Sequence, residues 1–127
     1  MQEVKIYEYA VIRLVPKVER EEFFNIGLIV FSKKEKYIRF DFHLCSEKFR
    51  SMKSKIDRQA LIQNLENFKN VAKGNKDGGP IAKLDIPERF RWLTAVRSSV
   101  IQTSRPHPGK STDLDQTFER LFEELVK

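Results

Sequence analysis

The chain has 127 residues, 40% of them hydrophobic with ten Phe, 33% charged, and a formal net charge of +6. That is enough apolar material for a single domain over residues 1–127 with a genuine core, and too much for a disordered chain. No apolar run reaches the roughly 18 residues that span a bilayer, and the start, Met1-Gln2-Glu3-Val4-Lys5, lacks the features of a signal peptide. The one cysteine, Cys45, cannot form an internal disulfide, so a cytoplasmic protein with no membrane attachment is expected.

Residues 4–15 read as a long first strand. Ile6, Ala10, Ile12 and Leu14 fall on one face, and Tyr7, Tyr9, Val11 and Val15 on the other, so the strand belongs in the middle of a sheet. Arg13 is the polar exception among them. A polar turn over Pro16 to Glu22 leads into a second apolar strand over 23–32, interrupted by Asn25 and Gly27. Strict alternation sends Asn25 and Gly27 to the same face, where the glycine leaves a gap and the asparagine sets an amide beside it. A turn centred near Glu19 places Arg13 opposite Asn25 and Val11 opposite Gly27.

Lys33-Lys34-Glu35-Lys36 is a charged turn, and residues 37–44 alternate with the even positions apolar, a third strand with one wet face. From Ile56 the period changes: Leu61, Leu65, Phe68 and Ala72 mark a helix capped by Asp57 and ended by Gly74. Residues 74–80 read as a flexible loop without phosphate-loop spacing. A short helix over 88–94 turns Phe90 and Leu93 inward, and a fourth strand is expected near 99–104. Ser104 to Gly109, with two prolines, reads as a rigid turn. The last helix begins near Thr112, with Asp115 in a capping-box position and Leu114, Phe118, Leu121, Phe122 and Leu125 on one face. The expected fold is α+β: an antiparallel meander of three strands plus a fourth, with helices packed on one face.

Charge is unevenly spread. Residues 33–58 carry nine basic against four acidic groups, residues 59–112 repeat that balance, and residues 113–127 carry two against five. A basic middle can steer phosphate-bearing partners. Within it, Arg97, Ser98, Gln102, Ser104 and His107 put hydrogen-bonding groups on and beside the fourth strand. Catalytic templates fail. His43 and His107 lack a second ligand at zinc spacing, Glu21 and Glu22 would face opposite sides of a strand, and Asp113 and Asp115 fit a helix start. No catalytic, metal or cofactor residue is assigned, and no cofactor is expected.

Tyr9-Ala-Val-Ile-Arg13, Arg20-x-Glu22-Phe-x-Asn25-Ile-Gly27, Arg91-Trp92-Leu93-Thr94-Ala95-Val-Arg97-Ser98-Ser99, His107-Pro-Gly109 and the closing Leu121-Phe122-Glu-Glu-Leu-Val resemble the bacterial domain-of-unknown-function family 3037 over nearly the whole chain. Two positions depart from it: Glu21 stands where the family usually has Gly, and Val96 where a Pro is common. The resemblance implies Arg13, Arg20, Glu22, Asn25, Gly27, Arg97 and Gln102 as characteristic polar positions. It also implies a small bacterial protein often encoded beside a HipA-like kinase, but no activity. The leading expectation is therefore a non-enzymatic interaction module, partner of such a kinase in a toxin–antitoxin or stress system. Arg13, Arg20, Glu22, Asn25, Gly27, Arg97, Ser98, Gln102 and His107 form its candidate polar site. The alternative is nucleic-acid binding through residues 33–58 and 89–110, extending to metal-independent cleavage. A third reading is a small-molecule sensor with its pocket beside Gly27.

Overall fold

A strand apolar on both faces must lie inside its sheet and be covered on both sides, and β1 (Lys5–Leu14) is such a strand. The computed structural model describes residues 3–15, 23–47, 56–95 and 100–127. Antiparallel to β1 on one edge runs β2 (Phe24–Ser32), with β3 (Tyr37–Phe42) beyond it, the expected meander. The other edge of β1 is shared end to end by β4 (Ile101–Thr103), against Ile12–Leu14, and β5 (His107–Ser111), against Lys5–Tyr9. The fold is α+β, and among the described residues three helices accompany the sheet: α1 (Arg58–Lys73), α2 (Ile86–Leu93) and α3 (Leu114–Leu125).

The fifth strand corrects the expectation of a turn over Ser104–Gly109. Both prolines sit where they cost no ladder bond. Pro106 falls in the step between β4 and β5, and Pro108 lies on an edge strand, where its missing N–H need not break a ladder. Ser104 stitches the step closed: its N–H donates to the Val11 carbonyl at 2.9 Å, and its buried Oγ accepts from the Val11 N–H at 2.9 Å. Gly109 is required because the Tyr7 ring lies across the position a Cβ would take.

The helices do not share one face. Helices α1 and α2 cover Ala10, Ile12, Leu14, Ile29, Phe31 and Phe40, with Leu61, Leu65, Phe68, Phe90 and Leu93 as the facing layer. Helix α3 covers the opposite face, setting Leu114, Phe118, Leu121 and Phe122 on Tyr7, Leu28 and Val30. Two-sided burial of the central strands requires this division, since one helical layer would leave Tyr7, Leu28 and Val30 in water.

Local chemistry sets the helix limits. Asp57 accepts from the Gln59 N–H at 3.0 Å to start α1, and Gly74 ends it in the left-handed region at φ 73°. The Arg89 guanidinium donates to the carbonyls of Val71 and Ala72, at 3.3 and 3.0 Å, closing the C-terminus of α1. The expected flexible loop after Gly74 is instead two short 3₁₀ turns, Lys76–Gly78 and Pro80–Lys83, anchored by buried Ala82. Asp113, one residue beyond the expected start, caps α3 by accepting from the Gln116 N–H at 3.1 Å.

Replacing Ser104 with Ala should leave the Val11 N–H buried without an acceptor, costing about 1–3 kcal/mol. Urea unfolding should show the loss as a lower midpoint at unchanged slope.

Candidate functional site

Three of the sequence-predicted polar residues form one cross-strand row. Arg13 on β1 pairs with Asn25 on β2 and with Gln102 on β4, so all three side chains stand on the α3 side of the sheet. Arg13 opposite Asn25 is the expected register. Val11 opposite Gly27 is not, because Ile12 faces Gly27 and Val11 faces Leu28.

The cause is a β-bulge. Between the pairs Ile12–Gly27 and Arg13–Asn25 one residue of β2, Ile26, has no counterpart on β1. Ile26 joins the core under α1, whereas Asn25 reaches the α3 side and donates from Nδ2 to the Leu125 carbonyl at 3.0 Å. Asn25 and Gly27 therefore face opposite sides of the sheet. No gap lies at Gly27: a Cβ there would stand 3.2 Å from both the Asp41 carbonyl oxygen and the Ile12 Cβ. Gly27 is a close-packing position, and the pocket expected beside it is filled by Ile12 and the backbone of β3.

In the row itself, the half-buried Arg13 guanidinium stacks 4.4 Å from the centre of the Phe23 ring. Arg13 Nε and Asn25 Oδ1 are buried without a hydrogen-bond partner among the described residues. Gln102 is engaged. A guanidinium and two carboxamides have no group that titrates near neutral pH, so the row can hold and orient but cannot shuttle protons. His107 is elsewhere. It pairs with Tyr9, its ring centre 5.3 Å from the tyrosine's, and Tyr9 is four residues along β1 from Arg13, roughly 13 Å at strand spacing. Arg20, Glu22, Arg97 and Ser98 lie outside the described residues.

A second polar cluster went unread in the sequence. Tyr37 and Arg39 of β3, expected on a wet face, meet α3 instead. The Tyr37 hydroxyl donates to Asp115 Oδ1 at 2.7 Å, and Arg39 reaches Asp115 at 3.1 Å and Glu119 at 2.5 Å. The Arg39 guanidinium lies 4.3 Å above the Phe118 ring. The Tyr37 hydrogen bond, aided by Arg39, holds the Asp115 carboxyl below the usual aspartate range. Burial and the adjacent Asp115 push the Tyr37 hydroxyl well above its ordinary value. Arg39 is raised as well: burial opposes its charge, but Glu119 and Tyr37 outweigh it. Together with Asn25 at the far end of the helix, these contacts tie α3 to the sheet.

A third feature is an open groove of about 620 Å³ at the N-terminal end of β1, on the face that α1 and α2 cover elsewhere. The helical layer stops where Phe90 stacks on Phe31, ring centres 4.5 Å apart. Beyond that pair Val4 and Ile6 are 56% and 66% exposed. Glu8 stands in the floor between Phe31 and Pro108, its partners on either side, and Ile6 is paired with Lys110. Lys33 and Lys34 form the opposite rim. Buried Ser32 donates from Oγ to the Ile6 carbonyl at 2.7 Å and holds this end of β1 against β2.

The profile of a family described as "Protein of unknown function (DUF3037)" matches residues 9–126, nearly the whole chain. The chain belongs to that family. No curated protein and no solved structure matches the chain significantly. Among the described residues, no helix is long and apolar enough to cross a membrane and no group of three or more His, Cys, Asp or Glu could hold a metal ion.

Because its folded carboxyl titrates below the ordinary value near 3.8, Asp115 contributes stability that is present above that value and lost as pH falls below it through the lower folded pKa. Carboxyl-carbon NMR should find Asp115 titrating below other exposed aspartates, and Tyr37→Phe should move it back toward them. The variant should also lose less stability than the parent on acidification below about pH 4.

Proposed function

We propose that this member of the family is a non-enzymatic interaction module of the bacterial cytoplasm that docks a protein partner on the open end of its sheet. The observation that carries the reading is the uncovered apolar strip at Val4 and Ile6, continuous with the core through Phe31. Isolated exposed apolar residues are commonplace, but here they line a groove where a two-sided sheet lacks its cover. On the α3 side, Asn25 Nδ2, Tyr37 and Arg39 are engaged in holding the helix in place.

The partner favoured by the family resemblance is a HipA-like kinase encoded nearby, within a toxin–antitoxin or stress system. The lone Cys45, half-buried and free, suits a reducing compartment. The alternative is nucleic-acid binding. Of the described basic side chains, Arg39 is paired to Asp115 and Glu119 on the α3 side, whereas Lys33, Lys34 and Lys110 share the groove face. Lys48, Arg50, Lys53 and Lys55 of the basic stretch lie outside the described residues. His107 stands on the α3 side against Tyr9.

The tagged chain should be coexpressed with the HipA-like kinase of the same genome, treated with nuclease and purified. A stoichiometric complex should survive, and Ile6→Glu, at an exposed position, should keep the parent's circular dichroism spectrum while reducing recovery of the kinase at least tenfold. Nucleic acid as the main companion, or a complex indifferent to Ile6→Glu, contradicts the reading.

A further inference from the structure

The groove has a charge pattern as well as an apolar floor. Ile6 stands in its middle, with Lys110 as its cross-strand partner on β5. On the other side the chain passes from Phe31 to Lys33 and Lys34 at the rim. All three lysines are exposed. Among the described residues, the carboxylates nearby are Glu8 in the floor, Glu35 next to Lys34 in the turn, and Glu3, which sits 3.7 Å from Lys34. The opposite layer has the reverse sign, since α3 and its cap carry Asp113, Asp115, Glu119, Glu123 and Glu124.

From this juxtaposition we infer that the groove accepts an amphipathic helix of a protein partner, with apolar residues on one face and Asp or Glu along both flanks. The inference rests on the interaction-module reading and adds the chemistry of the partner. A helix is the element that fits, because the groove continues the layer of α1 and α2 past the point where Phe90 closes it. Its apolar face would cover Val4, Ile6 and Pro108, completing the burial that β1 receives elsewhere. Its carboxylates would meet Lys33 and Lys34 on one side and Lys110 on the other, which sets orientation and excludes basic helices. The concave floor, with Glu8 in it, suits an inserted segment and disfavours a flat anionic membrane. The acidic surface of α3 would repel the same helix.

The test uses two synthetic amphipathic peptides with an identical leucine face, one with Glu and one with Lys on its polar face. Each is titrated into the full chain at low salt and followed by fluorescence anisotropy and ¹⁵N NMR. The Glu peptide should bind at least tenfold more tightly than the Lys peptide, with the largest shifts at Ile6, Lys33 and Lys110. The triple variant Lys33→Glu, Lys34→Glu, Lys110→Glu should invert that preference while keeping a folded spectrum. Equal binding of the two peptides, no binding of either, or shifts centred on α3 would overturn the inference. So would binding of phosphatidylserine vesicles that the Glu peptide cannot displace. If the peptides fail while the coexpressed kinase is still lost on Ile6→Glu, the partner's chemistry is wrong and the docking surface stands. If the kinase does not copurify at all, the interaction-module reading fails first.

Discussion

The described sheet is organised around the pairing of β1. One of its edges binds β2, the other binds β4 and β5 in succession, and its two faces carry two separate cores. A ten-residue strand used on four sides tolerates little irregularity, and the two that occur are both compensated. Ser104 supplies the acceptor that the step between β4 and β5 would otherwise deny to Val11. The bulge at Ile26 lets β2 send both Ile26 and Ile29 to one core while Asn25 reaches α3.

The same geometry separates a structural end of the sheet from an open one. Where β1 ends, the row Gln102–Arg13–Asn25 lies near the C-terminus of α3, and Asn25 satisfies a carbonyl that the helix itself leaves unpaired. Across the sheet, Arg39 and Tyr37 take up Asp115 and Glu119, so α3 is fixed along its length by polar contacts outside its apolar seam. Where β1 begins, Ser32 secures the strand but no described helix covers it, and the apolar surface that results is flanked by Lys33 and Lys34 on one side and Lys110 on the other. Folding needs account for the first arrangement. They give no reason for the second, and the proposed docking surface is placed there for that reason.

Much of the fold was legible in the sequence. The two-sided apolar pattern of residues 4–15 placed β1 at the centre, and Asp57 and Gly74 marked α1 because caps are local chemistry. That same pattern also implied helices on both faces, a consequence the single-layer expectation did not follow. The bulge was hidden because β2 is apolar in both phases, so a shift from Phe24 and Ile26 to Ile29 and Phe31 leaves no gap in the alternation. β5 was masked by Pro108 within it and Pro106 just before it, which signal a turn unless the strand is known to lie at an edge. Of the candidate site, the Arg13–Asn25 pair followed from hairpin arithmetic, whereas Arg39 finds its partners 76 and 80 residues away, beyond the reach of any local pattern. The groove shares that opacity: Ile6 and Lys110 become neighbours only once β5 is in place.

The most direct measurement is hydrogen–deuterium exchange of the chain alone and mixed with the proposed kinase partner. If the open sheet end is the working surface, binding should slow exchange in Val4–Glu8 and His107–Ser111 and leave Arg13, Asn25 and the C-terminus of α3 unchanged. New protection confined to Arg13, Asn25 and Gln102, with the groove exchanging as before, would contradict the account and return the polar row to the centre of function.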